Sequence, residues 1–240
     1  MSALPFTYLL RRSQRATRVR IVVKPGSVEV VAPPKVPESK IVQFIHAKQQ
    51  WIMSALGKMQ AKGHLANNGV AAIVYGHGAD VFYQGRIYQL ATKPSKLKNA
   101  KVEFVDGFIA HVPESLQVEQ HSDAIRGALE RWMKKQAKVH VEHLVNRHAP
   151  RKQLFPQSIK IKTQKSRWGS CGIHNDININ WLLVMAPAEV LEYVVVHELC
   201  HIQQRNHSRH FWTLVEEHLP DYQQHRVWLK KHGSHLMRGL

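Results

Sequence analysis

Pro187-Ala188-Glu189-Val190-Leu191-Glu192-Tyr193-Val194-Val195-Val196-His197-Glu198-Leu199-Cys200-His201 is the stretch that decides how this chain is read. Val190, Val194, His197 and His201 recur at helical spacing, as one face of a helix that ends in two histidines. At 3.6 residues per turn their imidazoles leave that face one turn apart, close enough to share a metal ion. Glu198 directly follows the first of them, so its carboxylate flanks such an ion instead of binding it, where a base for an activated water belongs. Val194-Val195-Val196 alone favours a strand, but a strand would hold the two rings more than about 12 Å apart. The spacing therefore predicts a helix from Pro187 to about Arg205. Pro187 suits its first turn, and Glu189 and Glu192 lie near the positive end of its dipole.

With 17 histidines in 240 residues, chance alone supplies roughly 0.06 copies of H-E-x-x-H, so the helical context has to carry part of the argument. A structural zinc site closes four protein ligands, whereas a catalytic one keeps a position open for water. His207 leads as third ligand because it lies just past the helix end and can fold back. Its offset from His201 matches the pattern H-E-x-x-H-x-x-G-x-x-H, but Gln204 stands where that pattern needs glycine. The helix must end differently, with Arg205-Asn206 making the turn, since Asn tolerates left-handed geometry. His210, Glu216 and Glu217 are the rivals for this position.

The net charge of +17 far exceeds the ~2–8 that solubility asks of a small domain. Such a field attracts nucleic acid, acidic proteins or anionic surfaces, and the densest cluster is Arg11, Arg12, Arg15, Arg18 and Arg20. The plainer reading is a solvated basic surface, because the cations are dispersed. No apolar run is long enough to span a membrane, and the N-terminal stretch lacks the pattern of a secretory signal. Cys171 and Cys200 make no disulfide framework; both are expected to be reduced, which fits a cytoplasmic protein.

In chain order, Thr17–Val23 and Ser27–Ala32 alternate around Pro25-Gly26 as a hairpin, and Glu38 to about Met59 carries an apolar stripe that includes Trp51. Lys62–Asn68 reads as a linker. Further strands flank Gln84-Gly85 and Asp106-Gly107, so the first half is expected to be mostly antiparallel β with one helix. A long helix follows from Ser122 to about His148, then short strands at Ser158–Thr163, Ser166–Cys171 and Ile177–Asn180. The expected division is a β-rich region with one helix over 1–118 and a catalytic region built around the H-E-x-x-H helix over 119–240, an α+β fold. Trp168-Gly169-Ser170 is a candidate strand edge for an extended substrate, since Gly permits close backbone approach, and Tyr222 is a candidate oxyanion donor.

These residues carry a resemblance. Lys165-Ser166-Arg167-Trp168-Gly169-Ser170-Cys171, Asn180-Trp181-Leu182, Ala186-Pro187, Tyr193 to His201, Asn206-His207-Ser208, Phe211-Trp212 and Pro220-Asp221-Tyr222 resemble the YgjP-like family of zinc metallopeptidases. That family is related in its core to the SprT-like and Wss1-like zincins. The likeness is dense from Lys165 to Trp228 and looser over Arg18 to Trp51. It implies a minimal zincin-like core, a Zn2+ cofactor held by His197, His201 and His207, Glu198 as the catalytic carboxylate, and a protein or peptide substrate. A basic nucleic-acid-binding protein with a structural or vestigial zinc site is the alternative from another class.

Overall fold

The computed structural model describes residues 4–24, 27–57 and 73–240, which fall into two units divided between Ala72 and Ile73. The expected turn at Pro25-Gly26 and the expected linker at Lys62–Asn68 lie outside the described residues. In the first unit β1 (Leu9–Arg12), β2 (Arg20–Lys24) and β3 (Ser27–Ala32) form a sheet in the order β1-β3-β2. Val28, Val30 and Ala32 alternate inward along β3, as a half-buried strand requires. They pack with Ile41 and Ile45 of α1 (Glu38–Ala47) and Ile52 of α2 (49–57). The single helix expected here is broken at Lys48, and Trp51, expected in its core stripe, is 53% exposed.

The second unit holds β4 (Asp80–Tyr83), β5 (Arg86–Ser95), β6 (Lys101–Phe104) and β7 (Phe108–Pro113) in the order β4-β5-β7-β6. Two antiparallel hairpins meet through a parallel β5–β7 pair. The first sheet is also mixed, because β1 runs parallel to β3; antiparallel pairs still outnumber parallel ones three to two across these two sheets, as expected, since tight turns impose antiparallel pairing only on the strands they join. Gln84 and Gly85 both take positive φ, 48° and 74°, as a two-residue hairpin turn needs. Their N–H groups donate to Val184 and Met185 carbonyls, and a Cβ on Gly85 would lie 2.9 Å from Pro187 Cγ. This turn thus buttresses the start of the motif helix.

α3 (Val118–Lys152) joins two cores. Ile125, Leu129 and Met133 pack with Val81, Leu90 and Phe108 of the four-stranded sheet, while Val141, Val145 and Ala149 enter the core around Ile177, Ile179 and Val195. The expected boundary at 118/119 therefore falls inside the second unit, where sheet and helix share apolar surface. The helix runs past the expected end near His148: Pro150 lies within its last turns, and Gln153, at φ 56°, ends it. A proline this close to the C-terminal end forfeits one of the last helical bonds instead of breaking the helix at mid-length.

The third sheet places β10 (Asp176–Asn180) between β8 (Ser158–Lys162), to which it is parallel, and β9 (Gly169–Cys171), to which it is antiparallel. A buried 3₁₀ segment, Trp181–Met185, leads into α4 (Ala188–Gln203), followed by α5 (Arg209–His218) and α6 (Tyr222–Leu236). The chain is α+β, and no helix among the described residues is long and apolar enough to cross a membrane.

Candidate active site

α4 is helical because its packing outweighs its local preference. Valine costs a helix about half a kcal/mol relative to alanine. Val194, Val195 and Val196 are all buried, and burial of such a side chain contributes roughly 1.5–3 kcal/mol. Glu192 anchors the helix to α3: its carboxylate accepts from Arg147 at 3.1 Å and meets His148 Nε2 at 2.7 Å.

The stripe on α4 ends in His197 and His201, with ring centroids 4.9 Å apart. His207 returns to the same spot, its Nε2 3.0 Å from His197 Nε2. One ring nitrogen from each of the three histidines lies within 4.8 Å of the others, a grouping able to hold a metal ion. No fourth His, Cys, Asp or Glu among the described residues joins the cluster. His201 Nδ1 lies 2.9 Å from the Gln204 carbonyl, which fixes Nδ1 as the protonated donor and leaves Nε2 bare as a ligand. Burial, and then the neighbouring His201 and His207, push His197 down to about 3, and burial also lowers His201. Both are therefore neutral at physiological pH, the form in which imidazole binds metal.

The way His207 comes back differs from the expectation. Asn206 is not among the residues with positive φ; Gln204 ends α4 with extended backbone instead, at φ −120° and ψ 98°. Asn206 Oδ1 then accepts from Ser208 N–H at 3.1 Å, a side-chain turn that needs no left-handed residue. Arg205 clamps the segment to the turn after β9, donating to the Gly172 and Ile173 carbonyls at 2.7 and 3.3 Å and to Asn175 Oδ1. His207 is stacked on Trp212, with centroids 5.7 Å apart, and edge-on to Phe211. The rivals stay away: His210 and Glu216 are exposed on α5, and Glu217 pairs with Lys152 at 2.7 Å.

Glu198 is 5% exposed, and burial pushes its carboxyl up to about 8, with Arg167 pulling the other way. Its place depends on Gly169. A Cβ there would lie 2.5 Å from Glu198 Oε1 and 2.7 Å from its Cγ, closer than real contacts allow. Gly169 is held in turn by Asn180, which is fully buried. The Asn180 N–H donates to the Trp168 carbonyl at 2.8 Å, and its amide donates to the Gln164 and Arg167 carbonyls.

A cavity of about 350 Å³ opens beside this carboxylate, lined by Trp168, Gly169, Tyr193, Val194, His197, Glu198, Arg226, Leu229 and Lys230. Of the four residues offered as substrate contacts, Trp168 and Gly169 line it. Ser170 accepts from Asn178 at 3.3 Å, and Tyr222 is buried in a stack with Trp212 and Tyr193. Tyr193 was overlooked, although its position four before His197 places it on the ligand face of α4. Arg226, Leu229 and Lys230 had no local signal, because they belong to another helix. Cys200 is buried, its thiol pushed up to about 12, and burial also raises the half-buried Cys171 against the pull of Arg205, so the thiol form is favoured at both.

Three convergent imidazoles, a flanking buried carboxyl and an open cavity on an α+β frame are the features of the metallopeptidase class. The family model for the YgjP-like metallopeptidase domain matches residues 17–232. The chain belongs to the YgjP-like metallopeptidase family. No curated protein matches it.

Proposed function

We propose that the protein is a zinc-dependent peptidase in which Glu198 acts as general base. The observation that carries this reading is the meeting of three imidazole nitrogens within 4.8 Å beside a buried carboxylate and an open cavity. His197, His201 and His207 would hold the ion, and the neutral imidazoles and the bare Nε2 of His201 fit it. Zinc bound there would supply Lewis acidity, polarising the scissile carbonyl and making the attacking water more acidic. Glu198 takes a proton from the attacking water and returns it to the leaving amine. A buried carboxyl suits both transfers, because its basicity can approach the working pH. Gly169 keeps that carboxylate in place, and β9, an edge strand of its sheet, offers backbone groups to an extended peptide.

The net charge supports a second partner, nucleic acid, alongside peptide. Two of the five clustered arginines are already engaged: Arg11 pairs with Glu29, and Arg12 donates to the Pro33 and Pro34 carbonyls. Peptide hydrolysis is therefore the leading reading. The test is metal analysis of purified wild type and Glu198→Gln, each incubated with an unfolded protein with and without DNA. Zinc is expected in both proteins, with cleavage lower by roughly 10²–10⁴ in the variant. Undiminished proteolysis by Glu198→Gln would remove the mechanism; salt-sensitive DNA binding without hydrolysis would favour the nucleic-acid reading.

A further inference from the structure

The cavity beside Glu198 has an uneven wall. Trp168, Val194 and Leu229 make it apolar, and among the described residues no carboxylate but Glu198 lines it. Two cations stand on successive turns of α6: Arg226 and Lys230. Neither has an acidic partner among the described residues. Arg226 is held over the Trp212 ring at 4.6 Å, and that ring stacks on both His207 and Tyr222. The exposed guanidinium thereby leans toward the histidine trio, and its N–H fork makes no hydrogen bond among the described residues. Planar guanidinium groups bind carboxylates through paired, charge-assisted hydrogen bonds, and apolar walls strengthen such a pair.

We infer that Arg226, aided by Lys230, receives a substrate carboxylate in this cavity and so selects peptides carrying a negative charge next to the bond that is cut. This rests on the peptidase reading above. The carboxylate has two sources, an Asp or Glu side chain or the free C-terminus of the substrate. The geometry favours this over general attraction by the basic chain, because the cations are positioned beside the reacting groups rather than dispersed.

The test uses the full-length zinc-loaded protein and peptides in matched pairs. One pair carries Glu or Gln beside the cleaved bond with an amidated C-terminus; the other is neutral in sequence, with a free or an amidated C-terminus. Wild type is expected to prefer the charged member of one pair on the order of tenfold in kcat/KM. In Arg226→Met, which keeps an apolar stem over Trp212, that ratio is expected to fall close to one. Lys98→Met removes a cation from an exposed loop and should leave the ratio intact. Fluorescence anisotropy of the same peptides, labelled, on Glu198→Gln and on Glu198→Gln/Arg226→Met measures the preference without turnover. Equal handling of charged and neutral members by wild type, or equal loss of preference in Lys98→Met, overturns the assignment. If no peptide is cleaved, the peptidase reading fails, and the anisotropy ratio still decides whether the cavity holds a carboxylate.

Discussion

Gly169 and Glu198 are tied so closely that one methyl group should separate fold from activity. In Gly169→Ala the new Cβ would displace the Glu198 carboxylate, whose oxygen lies 2.5 Å from where that atom would be. Because β9 is a short edge strand, the backbone there is expected to accept alanine. A loss of kcat of roughly 10²-fold, with far-UV dichroism and metal content kept, is the expected result, on the scale of general-base effects. Full activity would show that Glu198 need not stay where Gly169 lets it lie. Asn180 supports the same region one step further back. Asn180→Ala removes a buried side chain that serves the Gln164 and Arg167 carbonyls and the Leu182 N–H. Leaving such groups unsatisfied costs about 1–3 kcal/mol, to be read from urea unfolding, and a change within error would mean that water replaces the amide.

At the scale of elements, the junction between α4 and α5 decides whether two histidines become three. Arg205 is its clamp, joined to the turn after β9 by bonds to Gly172, Ile173 and Asn175. Arg205→Met should loosen the segment that carries His207 while leaving both helices formed. Zinc affinity is expected to fall by about 10-fold or more, as it does when partners that orient ligands are removed. Competition with a chromophoric chelator would measure it; unchanged affinity would mean that Trp212 stacking alone holds His207.

Across the whole molecule, the buried titratable groups predict how the metal-free protein responds to pH. Glu198 is raised to about 8 when folded, against 4.5 ordinarily. Between those values the folded state binds the extra proton, so stability grows as pH falls from about 8. His197 and His218 are lowered from 6.5 by burial, so below that value the unfolded chain protonates first and stability drops. A stability maximum near pH 6.5 is expected from denaturant titrations in the presence of a chelator. Among the described residues neither ring nitrogen of His218 has a hydrogen-bond partner, so His218→Leu should flatten the acid side of that profile. An identical acid slope in wild type and variant would discount burial of this imidazole as the cause.

The sequence by itself determined what is local. Two histidines four apart and the glutamate between them need only helical geometry to share a face, and the 4, 3, 4 spacing of Val190, Val194, His197 and His201 shows that face without a fold. Most strands and the long helix were legible for the same reason, since alternation and helical periodicity act over a few residues. What lies far apart in sequence was decided by tertiary structure alone. It set the parallel pairing of β5 with β7, the sharing of α3 between two cores, the approach of Gly169 to Glu198, and the place of Arg226 beside the cavity. Those outcomes depend on burying faces against partners distant in the sequence, and no short-range pattern encodes which partner wins.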